Sequence, residues 1–124
     1  MPRNPPETSE TLSAVCLCAE WCSTCRDWHA VVEQAAHEFK DVRWRWLDIE
    51  DEADLLDELD IDIETFPTML LARGDQVLFF GPIPAQAEVL ARLVSTLQAG
   101  SASAPGLTEQ VATLWRRLRG RATT

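Results

Sequence analysis

No stretch of the sequence approaches the ~20 consecutive apolar residues that a helix needs to span a bilayer, so a membrane-spanning helix is not expected. Basic side chains are scarce: eleven Lys and Arg stand against twenty Asp and Glu, for a formal charge of −9. A field of that sign repels nucleic acid and anionic lipid, so neither is expected as a partner. Histidine is rarer still, and His29 and His37, eight apart, read as solvated helix residues with no site role. An export signal is not expected either. The apolar run Leu12–Ala19 is bounded by Glu10 and Glu20, which does not suit a signal peptide. The expected location is therefore the reducing cytoplasm, where cysteines serve redox or metal chemistry more often than structural disulfides.

What is present suffices for one folded domain. The chain has 124 residues, 46% of them apolar, enough for a single hydrophobic core and too few for two. Residues 1–10 are polar and Pro-rich and are read as a flexible segment. Leu12–Ala19 is a continuous apolar run, as expected of a strand covered on both faces. Trp28, Val32, Ala35 and Phe39 recur at helical spacing and predict a helix over about 22–39. Val42–Ile49 alternates like a strand, and Asp51–Leu59 carries one apolar stripe on an acidic helix. Thr68–Ala72 and Gln76–Phe80 flank the turn Arg73-Gly74-Asp75 and predict an antiparallel hairpin. Gly81-Pro82-Ile83-Pro84 then breaks the chain before a helix over Ala85–Gln98. Residues 99–106 read as a linker. Beyond it Leu107, Val111, Leu114, Trp115 and Leu118 share one face of an amphipathic helix over 107–120.

Charge is distributed unevenly along the chain. Residues 48–64 hold ten carboxylates and no basic side chain, whereas Arg116, Arg117, Arg119 and Arg121 cluster near the end. The acidic run reads first as a solvated helix face, second as a docking patch for a basic partner. The basic tail folding back on it is a third arrangement, internal to the chain.

The chemistry lies in Ala19-Glu20-Trp21-Cys22-Ser23-Thr24-Cys25, where a strand ends and a helix begins. Two cysteines separated by two residues can close a disulfide across one helical turn. The unpaired amides and positive dipole at a helix start favour thiolate at the first of them. Cys22 is thus placed to attack a substrate disulfide, and Cys25, one turn inside, to resolve the mixed disulfide. Cys16 and Cys18, two apart on a strand, share one face and read first as small buried hydrophobes. A CxxC alone is also used by zinc ribbons. The four cysteines fall within ten residues, so a four-cysteine zinc or iron–sulfur site is an alternative, though no Gly-rich knuckle accompanies them.

Phe66-Pro67-Thr68, about forty residues downstream, narrows the choice. With Ala19-Glu20-Trp21-Cys22-x-x-Cys25, the helix Ala30–Phe39, Leu47-Asp48-Ile49-Glu50, Ile63–Thr68 and glycines at 74 and 81, the chain resembles the thioredoxin family over residues 12–98. The resemblance implies an α/β thioredoxin-like fold: a central mixed sheet of about four strands flanked by helices, within a domain spanning 11–98. It implies a thiol–disulfide oxidoreductase whose redox-active disulfide is Cys22–Cys25, with no organic cofactor and no metal. Pro67 would be a cis-proline facing the cysteines, with Trp21, Phe66 and Gly81 lining the substrate groove. Disulfide-containing proteins would be substrates, a reductase or glutathione the electron donor, and the chain a monomer or weak dimer.

Departures from the family pattern carry expectations of their own. Ser23-Thr24 stands where Gly-Pro is usual, and Cys16 occupies the place of a buried acid that takes the resolving thiol's proton. The Lys that pairs with this acid falls at Trp46, and a strand Trp becomes Cys18. Cys16 could replace the acid or form an alternative disulfide, and Glu20 could relay protons. Against the family pattern a shortened N-terminus is expected, with the family's first strand and helix lost or vestigial and the extra C-terminal helix covering the face they would have covered. A non-catalytic module that keeps the fold to dock a partner is the competing reading.

Overall fold

The first strand, β1 (Leu12–Cys18), is buried along its whole length, as its uninterrupted apolar run requires. The computed structural model describes residues 11–19, 22–99 and 108–119. The flexible segment assigned to 1–10 and most of the linker lie outside them.

Helix α1 (Ser23–Glu38) follows, then β2 (Arg43–Asp48), α2 (Ala53–Glu58), the hairpin β3 (Thr68–Arg73) and β4 (Gln76–Pro82), α3 (Ala87–Gln98) and α4 (Glu109–Arg119). The strands form one sheet in the order β2-β1-β3-β4. β2 lies parallel to β1 across the α1 crossover, while β3 and β4 run antiparallel. This is the four-stranded mixed sheet the sequence implied. One boundary differs: β4 continues through Gly81 and Pro82, with Pro82 opposite Thr68, where a chain break was expected. Proline is tolerated at the end of an edge strand, where its missing N–H breaks no interior ladder bond.

Period-two alternation sorts β1 between two cores. Leu12, Ala14, Cys16 and Cys18 face α1 and α3, joining Trp28, Val32, Trp44, Met69, Leu71, Leu90 and Val94. Val15 and Leu17 face the other way, with Leu70, Ala72 and Val77, and are covered by Leu55 and Leu56 of α2 and by Val111, Leu114, Trp115 and Leu118 of α4. The C-terminal helix therefore buries its apolar face against the sheet, beside α2. Three polar contacts hold it there. Trp115 Nε1 donates to the Gly74 carbonyl at 2.9 Å, Arg45 Nη1 donates to the Leu118 carbonyl at 2.7 Å, and Arg117 meets Glu58 at 3.2 Å. Gly74 has φ 59°, which its lack of a side chain permits and which shapes the turn between β3 and β4. Of the readings of the basic tail, the fold-back is the one found, with Arg117 on the acidic α2.

Candidate active site

Helix α1 aims its apolar stripe at the sheet, and the cysteines fall on and beside that stripe. The buried residues are Cys25, Trp28, Val32, Ala35 and Ala36, so Cys25 begins the stripe. Cys22 precedes the helix as its N-cap residue, in extended backbone (φ −89°, ψ 120°). Its amide donates to the Ala19 carbonyl at 3.1 Å, and its carbonyl accepts from the Arg26 amide at 3.2 Å. Cys22 is half-buried with a free thiol, whereas Cys25 is only 1% exposed.

The sulfur pairing in the structure is not the one the resemblance implies. The disulfide in the structure joins Cys18 to Cys25, with Cα atoms 5.7 Å apart, and Cys22 is not in it. The physical reason is the stripe. Cys25 points inward at the end of β1, where Cys18 occupies the same face of the sheet, while the capping position holds Cys22 at the surface. The bland reading of Cys18 as a packed hydrophobe is likewise replaced, and the alternative disulfide considered for Cys16 is formed by its neighbour.

Cys16 is fully buried and free. Burial pushes its thiol up to about 12, an effect that hydrogen bonding from the Trp28 indole only partly opposes. It therefore stays protonated at neutral pH and donates to Cys18 Sγ at 4.0 Å. The Ala19 amide donates to Cys25 Sγ at 3.4 Å.

The Phe66–Pro67 peptide bond is cis. Pro67 is buried and its carbonyl accepts from the Ile83 amide at 3.1 Å, while Thr68 Oγ1 donates to the Thr65 carbonyl at 2.7 Å. Phe66 and Cys22 are both half-buried against the core cluster that contains Cys18 and Cys25. Gly81 lies opposite Met69 in the sheet and lines a separate cleft of about 210 Å³ with Asp62, Glu64, Thr65 and Pro82. Trp21 and Glu20 lie outside the described residues.

Sequence reasoning passed over the surroundings of Cys25. A cavity of about 550 Å³ is lined by Ala19, Cys25, Arg26, His29 and Trp46. The His29 and Trp46 rings meet edge to face with centroids 4.7 Å apart. The available signal was His29 four residues after Cys25, hence on the same side of α1. Trp46 pairs with Cys16 across β1 and β2, so the two positions that depart from the family's acid and lysine are neighbours. Among the described residues, no group of three or more His, Cys, Asp or Glu side chains is placed to hold a metal ion.

A sequence model of the thioredoxin family, described as Thioredoxin, matches residues 7–96. The chain belongs to the thioredoxin family. Solved thioredoxins share the fold. The Trypanosoma brucei brucei thioredoxin is 23% identical, with a TM-score of 0.60 over 72% of this chain and 77% of that one. Chlamydomonas reinhardtii thioredoxin f2 is 22% identical, with a TM-score of 0.62 over 74% and 83%. A thioredoxin f2 solved in complex with ferredoxin:thioredoxin reductase is 17% identical, with a TM-score of 0.62 over 73% and 81%. At these identities the likeness is one of fold. No curated protein sequence matches the chain. As a thioredoxin-family member it carries its cysteine cluster at the strand-to-helix junction, an arrangement consistent with thiol–disulfide exchange.

Proposed function

We propose that this protein is a thiol–disulfide oxidoreductase whose attacking group is Cys22 and whose resolving thiol is Cys25. The observation that carries the reading is the half-buried free thiol of Cys22 at the start of α1, with Cys25 one turn further in. In the reduced protein, Cys22 thiolate attacks one sulfur of a substrate disulfide. A mixed disulfide forms and the first substrate sulfur leaves as thiolate. Cys25 then attacks Cys22 Sγ, the second substrate sulfur leaves, and a Cys22–Cys25 disulfide holds the oxidation. Two electrons have passed to the substrate, and the sulfurs carry them without an organic cofactor.

A donor must return two electrons, either two glutathione thiols or a protein reductase. The thioredoxin f2 solved with ferredoxin:thioredoxin reductase supports the second kind of partner by analogy. Phe66, Pro67 and Gly81, with Trp21, are the residues we assign to an extended substrate segment, which would pair with the backbone ahead of Pro67. The chain is proposed to act as a monomer or weak dimer in a reducing compartment such as the cytoplasm, where Cys22 is kept as a thiol. The test is turnover of a protein disulfide with dithiothreitol as electron donor. Turnover well above the uncatalysed rate, lost on Cys22→Ser, supports the reading. Wild-type protein no faster than dithiothreitol alone would end it.

A further inference from the structure

The exchange cycle just described uses Cys22 and Cys25 and leaves Cys18 idle, yet Cys18 is the residue bonded to Cys25. We propose that Cys18 is a second resolving thiol, which takes Cys25 out of the Cys22–Cys25 disulfide, draws the disulfide into the core and returns Cys22 as a free thiol. The inference rests on the exchange reading for the formation of the Cys22–Cys25 bond.

The step balances without an outside oxidant. Cys18 Sγ attacks Cys25 Sγ, the Cys18–Cys25 bond forms, the Cys22–Cys25 bond breaks, and the electron pair leaves on Cys22 Sγ. The proton lost by Cys18 is matched by the one Cys22 takes up from water. One thiol and one disulfide stand on each side, so the step is an isomerisation of the oxidised protein.

Three features favour that direction and that partner. Cys18 and Cys25 are 0% and 1% exposed, and a disulfide there is uncharged and needs no hydrogen-bond partner. The sulfur released, Cys22, is half-buried at the amino end of α1, where solvent can supply its proton. Cys16 shares the face of β1 with Cys18 and its sulfur lies 4.0 Å from Cys18 Sγ, yet the sulfur bonded to Cys25 is that of Cys18, and Cys16 is free. The consequence is an oxidised protein that keeps an accessible nucleophile. It can form mixed disulfides through Cys22 while its oxidising equivalents lie in the core, bordered by the cavity of His29 and Trp46.

Glu20 makes the test direct, because it lies between the two pairs of cysteines. Protein oxidised with glutathione disulfide is alkylated in denaturant at mildly acidic pH and cleaved after glutamate. This separates Thr11–Glu20, which holds Cys16 and Cys18, from Trp21–Glu33, which holds Cys22 and Cys25. A Cys18–Cys25 bond keeps the peptides joined with Cys22 alkylated, and that is the expected result. In Cys18→Ala, and in the volume-keeping Cys18→Val, the peptides should separate, with Cys22 alkylation falling about tenfold or more. Separated peptides with Cys22 blocked in the wild type would overturn the second resolving step and leave the exchange reading standing. Failure of the Cys18 variants to form any disulfide would overturn both, since the Cys22–Cys25 couple would then not exist.

Discussion

The two faces of β1 are equally dry and chemically unlike. Val15 and Leu17 are 0% exposed on one side, Cys16 and Cys18 are 0% exposed on the other. On the first side the neighbours are hydrocarbon and the indole of Trp115, brought by a helix from the far end of the chain. On the second they are the stripe of α1, which begins with Cys25. Burial therefore does not separate structure from chemistry in this molecule. The difference is what the facing helix delivers: α4 delivers contact area, and α1 delivers a sulfur atom.

Substitutions on each side should break different properties. The largest effect is expected from Cys22→Ser on the thiol side. Disulfide reduction driven by dithiothreitol should fall on the order of 10³-fold or more, as for loss of a nucleophile, with the urea midpoint nearly unchanged. A comparable loss of stability in that variant would mean that Cys22 is structural. Trp115→Ala on the opposite side should do the reverse. Removing a buried indole and its hydrogen bond to the Gly74 carbonyl should cost about 3–5 kcal/mol in urea unfolding. The folded fraction should keep its rate of alkylation at Cys22, and a changed rate would show that the two cores are coupled.

A smaller effect sharpens the contrast within the cysteine face. Native Cys16 holds its proton up to about 12, whereas in the unfolded chain it should ionise near the ordinary thiol value of about 8.5. Below that value both states are protonated and the contribution is constant. Above it the unfolded state binds fewer protons, so stability falls with rising pH, by about 1.4 kcal/mol per unit. Denaturant melts of wild type against Cys16→Val from about pH 8 to about pH 10.5, which covers the lower part of the window that opens at the unfolded thiol value of about 8.5, should diverge in that sense. Parallel curves would mean that the thiol is less insulated than its burial implies. The smallest effect is expected from Arg117→Ala. The Arg117–Glu58 pair is exposed at both ends, so its loss should cost under about 0.5 kcal/mol. A larger loss in thermal unfolding would show that α4 is held by charge as much as by its apolar face.

Much of this was legible in the residues. The apolar run of β1, the stripe Trp28–Val32–Ala35, the hairpin around Gly74 and the cysteine pair at a helix start all follow from local periodicity and turn chemistry. The resemblance carried by Trp21-Cys22-x-x-Cys25 and Phe66-Pro67-Thr68 led to the right family. The partner of Cys25 was not legible in the same way. A spacing of two intervening residues pointed to Cys22, although Cys25 also extends the buried stripe of α1 and Cys18 ends the matching face of β1. The cavity beside Cys25 was missed because His29 and Trp46 come from different elements.

By itself the sequence determined which side chains share a face, because the 3.6-residue and two-residue periods act within a few residues of chain. It also determined that Cys22 caps α1 while Cys25 lies within it. Tertiary structure decided which sulfur meets Cys25 and which surface α4 covers. Both depend on how separate elements dock, and docking is settled by the shape and area of the faces that must leave water.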